Sequence, residues 1–136
     1  MKTLIAYYSY TGHTKKIAES LAKKESADIV EIKGESRPGV IRAYTAGCYA
    51  ALRGLSWPIK PLGADMSKYD NLILMAPVWA NNPPPFFNAA LESLPAGKTV
   101  SVKMVAASGK SKCRKRLQAA IKAKGSELVS FEDIKG

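Results

Sequence analysis

Three short stretches hold most of the residues able to do chemistry. The first, "SYTGHT" (Ser9 to Thr14), sets Ser9, Thr11 and Thr14 beside Gly12 and the chain's only histidine. A helix-like run follows at once, with Ile17, Ala18, Leu21 and Ala22 at helical spacing. A loop that opens a helix faces free backbone N–H groups and the positive end of the helix dipole, and both favour an anion. Three Ser/Thr hydroxyls add donors, and a glycine lets the backbone curl closely around a phosphate. A simple helix cap needs only one such residue, so the cluster points to phosphate. His13 has no partner residue in view and reads as a supplier of backbone N–H rather than of proton chemistry.

The second stretch, "PVWANNPPP" (Pro77 to Pro85), offers an indole at Trp79. Its flat apolar face suits stacking on a planar ring, although large aromatics are more commonly just buried. The third, "ASGKS" (Ala107 to Ser111), imitates the end of a Walker A loop. Its first glycine would have to be residue 104, which is Met104, so a nucleoside triphosphatase reading is rejected. Cys113 lies near the start of a helix beside Lys112 and Arg114, which lowers a thiol pKa, but it shares an apolar stripe with Leu117 and Ile121. A buried, inert thiol is the better reading.

These stretches interrupt a regular alternation. "TLIAYYS", "ADIVEIK", "DNLILMAPV", "KTVSVKMVAAS" and "SELVSFEDI" read as five strands, the first and third apolar enough to be covered on both faces. Between them lie helical patterns. In the second, Val40, Ile41, Tyr44, Cys48, Ala51 and Leu52 form the expected buried face. Prolines 83 to 85 open the third, where a missing N–H costs nothing, and Gly125 stops the fourth. Alternating strands and helices predict one domain over 1–136: an α/β, three-layer, doubly wound parallel sheet of five strands. In such sheets ligands bind beyond the carboxyl ends of the strands, where all three loops would meet.

The composition, 46% hydrophobic and 24% charged, places the chain among folded globular proteins rather than disordered ones. Two distant cysteines suggest neither a disulfide framework nor a zinc site. Neither a signal peptide nor an apolar run of the ~20 residues a membrane span needs is visible, so the expected location is the cytoplasm, without membrane association. The net charge of +10 is the abnormal feature, with no acidic residue between Glu92 and Glu127. Such a field attracts anions, although a solvated basic helix face gives the same pattern.

The loop SYTGHT between strand and helix resembles the FMN-phosphate loop of the flavodoxin family, of pattern S/T-x-T-G-x-T. "YDNLILMAPVWANNPPPFFNAAL" resembles the same family's third strand and flavin-stacking loop, and "AASGKS" stands where its third flavin loop would be. The resemblance implies strand order 2-1-3-4-5 and bound FMN. Carried over by position, it implies that Ser9, Tyr10, Thr11, Gly12, His13 and Thr14 hold the phosphate. Pro77, Val78, Trp79, Ala80, Asn81 and Asn82 would line the ring, and Ser108, Gly109 and Lys110 would close the far side.

The chain departs from the family in four respects. The usual helix after the fifth strand is lacking, and Ser101 and Lys103 alternate with Val100, Val102 and Met104, so one sheet face should be half uncovered. Polar side chains or a homodimer contact would screen it. The glycine that often follows the stacking aromatic is replaced by Ala80-Asn81. No aromatic occurs between Phe87 and Phe131, which leaves one ring face open to a nicotinamide nucleotide or another substrate. The basic charge calls for redox partners with acidic docking faces. The leading expectation is therefore an FMN-binding electron-transfer protein. The alternatives are a small NAD(P)H-dependent FMN reductase, or a flavin-free basic module for nucleic acid or an acidic protein. Nucleic acid is disfavoured, because no aromatics interleave the basic run.

Overall fold

Strands form where the apolar runs were read. The computed structural model describes residues 2–136. Strands β1 (Thr3–Tyr7), β2 (Asp28–Glu31), β3 (Asn71–Pro77), β4 (Thr99–Ala106) and β5 (Glu127–Lys135) build one sheet of order β2-β1-β3-β4-β5. Every neighbouring pair is parallel. Register aligns Leu4 with Leu72 and Leu72 with Val100, so like faces meet across the centre of the sheet.

Two helical layers cover the sheet. On one face Leu4, Leu72, Leu74, Val100, Val102 and Met104 pack against Phe86, Phe87 and Leu91 of α4 (Pro85–Glu92) and Leu117 and Ile121 of α5 (Arg114–Ala123). On the other, Ile5, Tyr7 and Met75 pack against Ala18 and Ala22 of α1 (His13–Glu25). That second layer stops short. Ser101 and Lys103 on β4 stay partly exposed, and Lys103 Nζ lies 2.8 Å from Glu132 Oε1 on β5. Polar side chains thus screen the half-uncovered face. An exposed pair of this kind adds little stability but makes the face wettable.

The segment over residues 40–53 overturns one expectation. It begins as α2 (Val40–Arg42), passes through a π turn (Ala43–Gly47) and ends as α3 (Cys48–Arg53), stopped by Gly54 at φ 68°. The buried face is Ala43, Gly47, Ala50 and Ala51. Of the expected face, Val40, Ile41, Tyr44 and Leu52 point to solvent. The reason is close packing: a Cβ on Gly47 would stand 2.7 Å from the Trp79 ring, so only a face of small residues fits there. The π turn inserts backbone into the helical ladder and shifts the phase of every residue after it. Arg116 of α5 closes the end of α3, donating from Nη1 to Ala51 O (3.0 Å) and from Nη2 to Leu52 O (2.9 Å).

Candidate functional site

The loop after β1 is held open around its own backbone. Gly12 stands at the start of α1 with φ 99°, a left-handed conformation that glycine adopts without cost. Its N–H donates to Ser9 Oγ at 3.0 Å. No side chain caps α1, so the capping explanation for the hydroxyl cluster does not hold. The N–H groups of Thr11, His13, Thr14 and Lys15 have no hydrogen-bond acceptor among the described residues. Thr14 as a residue is only 2% exposed, yet its hydroxyl makes no hydrogen bond among the described residues, and its oxygen keeps access to the cleft that Thr14 lines. Unspent donors at a helix start, beside an unpartnered hydroxyl on the cleft wall, are what an anionic oxygen cluster requires.

The loop after β3 makes a tight turn. Trp79 and Asn82 exchange both backbone hydrogen bonds, at 2.8 and 2.9 Å, and the two residues between them, Ala80 (φ 49°) and Asn81 (φ 66°), are left-handed. That is a type I′ turn, which favours Asn and Gly. Asn81 fits it; Ala80 does so under strain. Asn82 Nδ2 donates to Ala80 O at 2.8 Å and holds the turn from inside. Ala80→Gly should therefore raise the unfolding free energy by about 1 kcal/mol, the relief of left-handed strain less the extra chain entropy of glycine. Urea denaturation of the two chains measures it.

The third wall is pinned from a distance. Lys112 N–H donates to Asn81 O at 2.9 Å and so ties the loop after β4 to the turn after β3. Ser111 donates to Asp133 of β5 from its N–H (3.1 Å) and its hydroxyl (2.6 Å). Gly109 turns the loop at φ 75°. Behind it, Cys113 is fully buried, and burial pushes its thiol pKa up. It should resist a thiol reagent at neutral pH and react only on unfolding, which a reagent count before and after denaturation checks.

Between these loops lies a cleft of about 470 Å³, lined by Thr11, His13, Thr14, Pro77, Val78, Ala80, Asn81, Ser108 and Lys110 of the expected residues. Its size falls in the range of small-molecule sites, roughly 300–1,000 Å³. It opens between β1, β3 and β4, where the chain's winding direction reverses. Val105, Ala106, Ala107 and Gly136 also line it; Ala106 and Ala107 open the AASGKS stretch, while nothing in the residue pattern marked Val105 or Gly136. Ser9, Tyr10 and Gly12 line a second cleft of about 480 Å³ on the opposite side of the same loop.

Trp79, Asn82 and Gly109 line neither cleft. The Trp79 ring packs edge-on against Tyr8 (centroids 6.0 Å apart) and Tyr10 (5.7 Å), with Gly47 beneath it. Tyr8 and Gly47 were not foreseen as neighbours of the site, since one reads as strand and the other as a helix position. Burial pushes the phenols of Tyr8 and Tyr7 up to about 12 from an ordinary 10. The fold thus favours their neutral forms; that stability is complete below pH 10 and is lost as pH rises towards 12. Alkaline denaturation should follow, and Tyr8→Phe should lessen the loss between those limits.

The nearest guides are solved structures, because no protein-family model and no curated protein matches the chain. The flavoprotein of Lactobacillus acidophilus NCFM in complex with FMN superposes with a TM-score of 0.77 at 22% identity, over 96% of this chain and 91% of that one. Flavodoxin of Fusobacterium nucleatum bound to flavin mononucleotide gives 0.56 at 19% identity, over 95% and 70%. Oxidised flavodoxin 1 of Bacillus cereus gives 0.53 at 17%, over 96% and 82%. The fold is flavodoxin-like. In a flavodoxin-like sheet of this order the β1/β3 switch point marks the ligand end, and the 470 Å³ cleft sits there. Among the described residues no helix is long and apolar enough to cross a membrane, and no cluster of His, Cys, Asp and Glu is placed to hold a metal.

Proposed function

We propose that this protein binds FMN in the cleft between residues 9–14, 77–82 and 106–110 and passes electrons through the flavin ring. One observation carries the reading: the N–H groups of Thr11, His13 and Thr14 are unspent at the start of α1, and all three residues line the cleft together with the unpartnered Thr14 hydroxyl. Those donors fit a phosphate dianion. The wall of Pro77, Val78 and the Ala80-Asn81 turn fits a planar ring with a polar edge. FMN in the two flavoprotein structures named above supports the choice of ligand. Bound flavin would supply the redox chemistry, and the protein supplies position and electrostatics.

Titration with FMN and with riboflavin, followed by quenching of flavin fluorescence, tests this. FMN should saturate near one equivalent and bind more tightly than riboflavin, because only FMN carries the anion. A flat titration with FMN ends the proposal.

One observation favours a reductase rather than a carrier. The loop after β4 lines the cleft with Ala106, Ala107, Ser108 and Lys110 and brings no aromatic side chain to it. A ring in the cleft would keep one face open, room enough for a nicotinamide. Anaerobic mixing of the FMN-loaded protein with NADH or NADPH separates the two: rapid bleaching of flavin absorbance supports a reductase, and its absence a carrier.

A further inference from the structure

We infer that the outward face of residues 40–55 is a docking surface for a protein partner whose own patch has an apolar centre edged with carboxylates. Val40 (73% exposed), Ile41 (81%), Tyr44 (79%), Tyr49 (59%), Leu52 (54%) and Leu55 (48%) all lie on this segment. Six large apolar or aromatic side chains exposed on one short segment are a cluster, not the singly scattered apolar residues normal on a surface. The inner face of the same helical segment is satisfied, with Ala43, Gly47, Ala50 and Ala51 buried. None of the outer side chains belongs to either packed cluster of the core.

Charge identifies the occupant. Residues 36–64 contain no acidic residue, while Arg42 and Arg53 lie within the segment and Arg37 three residues before it. A second copy docking face to face would bring these arginines together with no carboxylate from the segment to offset them, which disfavours self-association. The kind of cation separates protein from lipid or nucleic acid. The chain has sixteen lysines and five arginines, yet no lysine lies between Lys33 and Lys60, where three of the arginines fall. A non-specific polyanion surface is served equally well by lysine. Arginine with tyrosine, and without lysine, is the composition of protein interfaces.

These guanidinium groups are also held in place. Arg42 lies 4.8 Å from the Trp57 ring centre, Arg53 5.9 Å from Tyr49 and Arg37 4.2 Å from Tyr10. Arg37 also donates from Nη2 to Tyr10 O at 3.2 Å. That leaves Arg42 and Arg53, each set over a ring and without a hydrogen-bond acceptor among the described residues, to present a pre-set fork to a carboxylate. The position has a consequence: Gly47, on the inner face, packs on Trp79 of the loop after β3. A partner seated on the outer face would stand one helix diameter, about 10 Å, from the aromatic cluster beside the candidate site.

The test uses the full chain without flavin, so its outcome is independent of FMN binding. Two synthetic helical peptides share a Leu/Tyr face and differ in their flanks, one Glu and one Lys, and titration calorimetry measures both. The Glu peptide should bind saturably and lose about tenfold in affinity between roughly 50 and 300 mM salt as its charges are screened. The Lys peptide should not bind. Ile41→Glu and Tyr44→Glu, both at exposed positions, should each weaken Glu-peptide binding at least ~10-fold with an unchanged thermal midpoint. Equal binding of both peptides, binding unaffected by these substitutions, or no binding at all overturns the proposal. So does uptake by phosphatidylserine vesicles that depends on Ile41, or sedimentation of the free protein as a dimer that Ile41→Glu dissolves.

Discussion

Thr14→Val weakens FMN binding roughly 10- to 100-fold and leaves riboflavin affinity within about twofold. The substitution keeps the side chain's shape at a site only 2% exposed, so packing and the start of α1 survive. What it removes is one hydroxyl donor. A hydrogen bond to a charged group contributes about 1.5–3 kcal/mol, and each 1.4 kcal/mol is a factor of ten in affinity. Riboflavin lacks the phosphate and serves as the internal control: an equal loss for both ligands would mean that the loop had shifted, and no loss for either that the anion sits elsewhere. Fluorescence titration of the two chains with the two flavins gives all four affinities.

Phe87→Ala destabilises the fold by about 3–5 kcal/mol, the range for deleting a buried aromatic ring. Phe87 is 1% exposed and among the largest fully buried side chains, set between α4 and the sheet face that carries Leu4, Leu72 and Leu74. Domains of this size are stable by only about 5–15 kcal/mol, so the variant should melt far below the parent and populate unfolded chain at moderate temperature. Thermal and urea unfolding measure it. A loss under ~1 kcal/mol would mean that the helix closes over the cavity and that α4 is not a fixed wall behind the loop it follows.

Much of the layout could be read from residue order. The unbroken apolar runs at 4–7 and 72–77 fix two central strands, because only strands covered on both faces can be apolar throughout. The alternation of Ser101 and Lys103 with Val100 and Val102 announced the half-open face, and those polar residues do stand there, Lys103 paired with Glu132. The prolines at 83–85 and Gly125 punctuate helices as local backbone chemistry requires.

Hydrophobicity misled at residues 40–53. An apolar stripe is normally the buried one, yet here alanine and glycine face inwards and Val40, Ile41 and Tyr44 face out. Neither the π turn nor the nearness of the Trp79 ring can be seen in a one-dimensional pattern, and both are needed to choose the face.

At the site the division is sharper. By itself the sequence determined which loops meet at the sheet edge and which residue types they carry, since strand order and loop position follow from alternation and right-handed connection. Only the tertiary structure decided that α1 keeps its first N–H groups unspent, that Ala80 is forced left-handed, and that Trp79 turns edge-on to Tyr8 and Tyr10. It also set the clamp from Ser111 to Asp133 across 22 positions of chain. Local periodicity reports which way a backbone runs; hydrogen-bond partners and ring contacts depend on segments far apart in sequence, and only the packed fold brings those together.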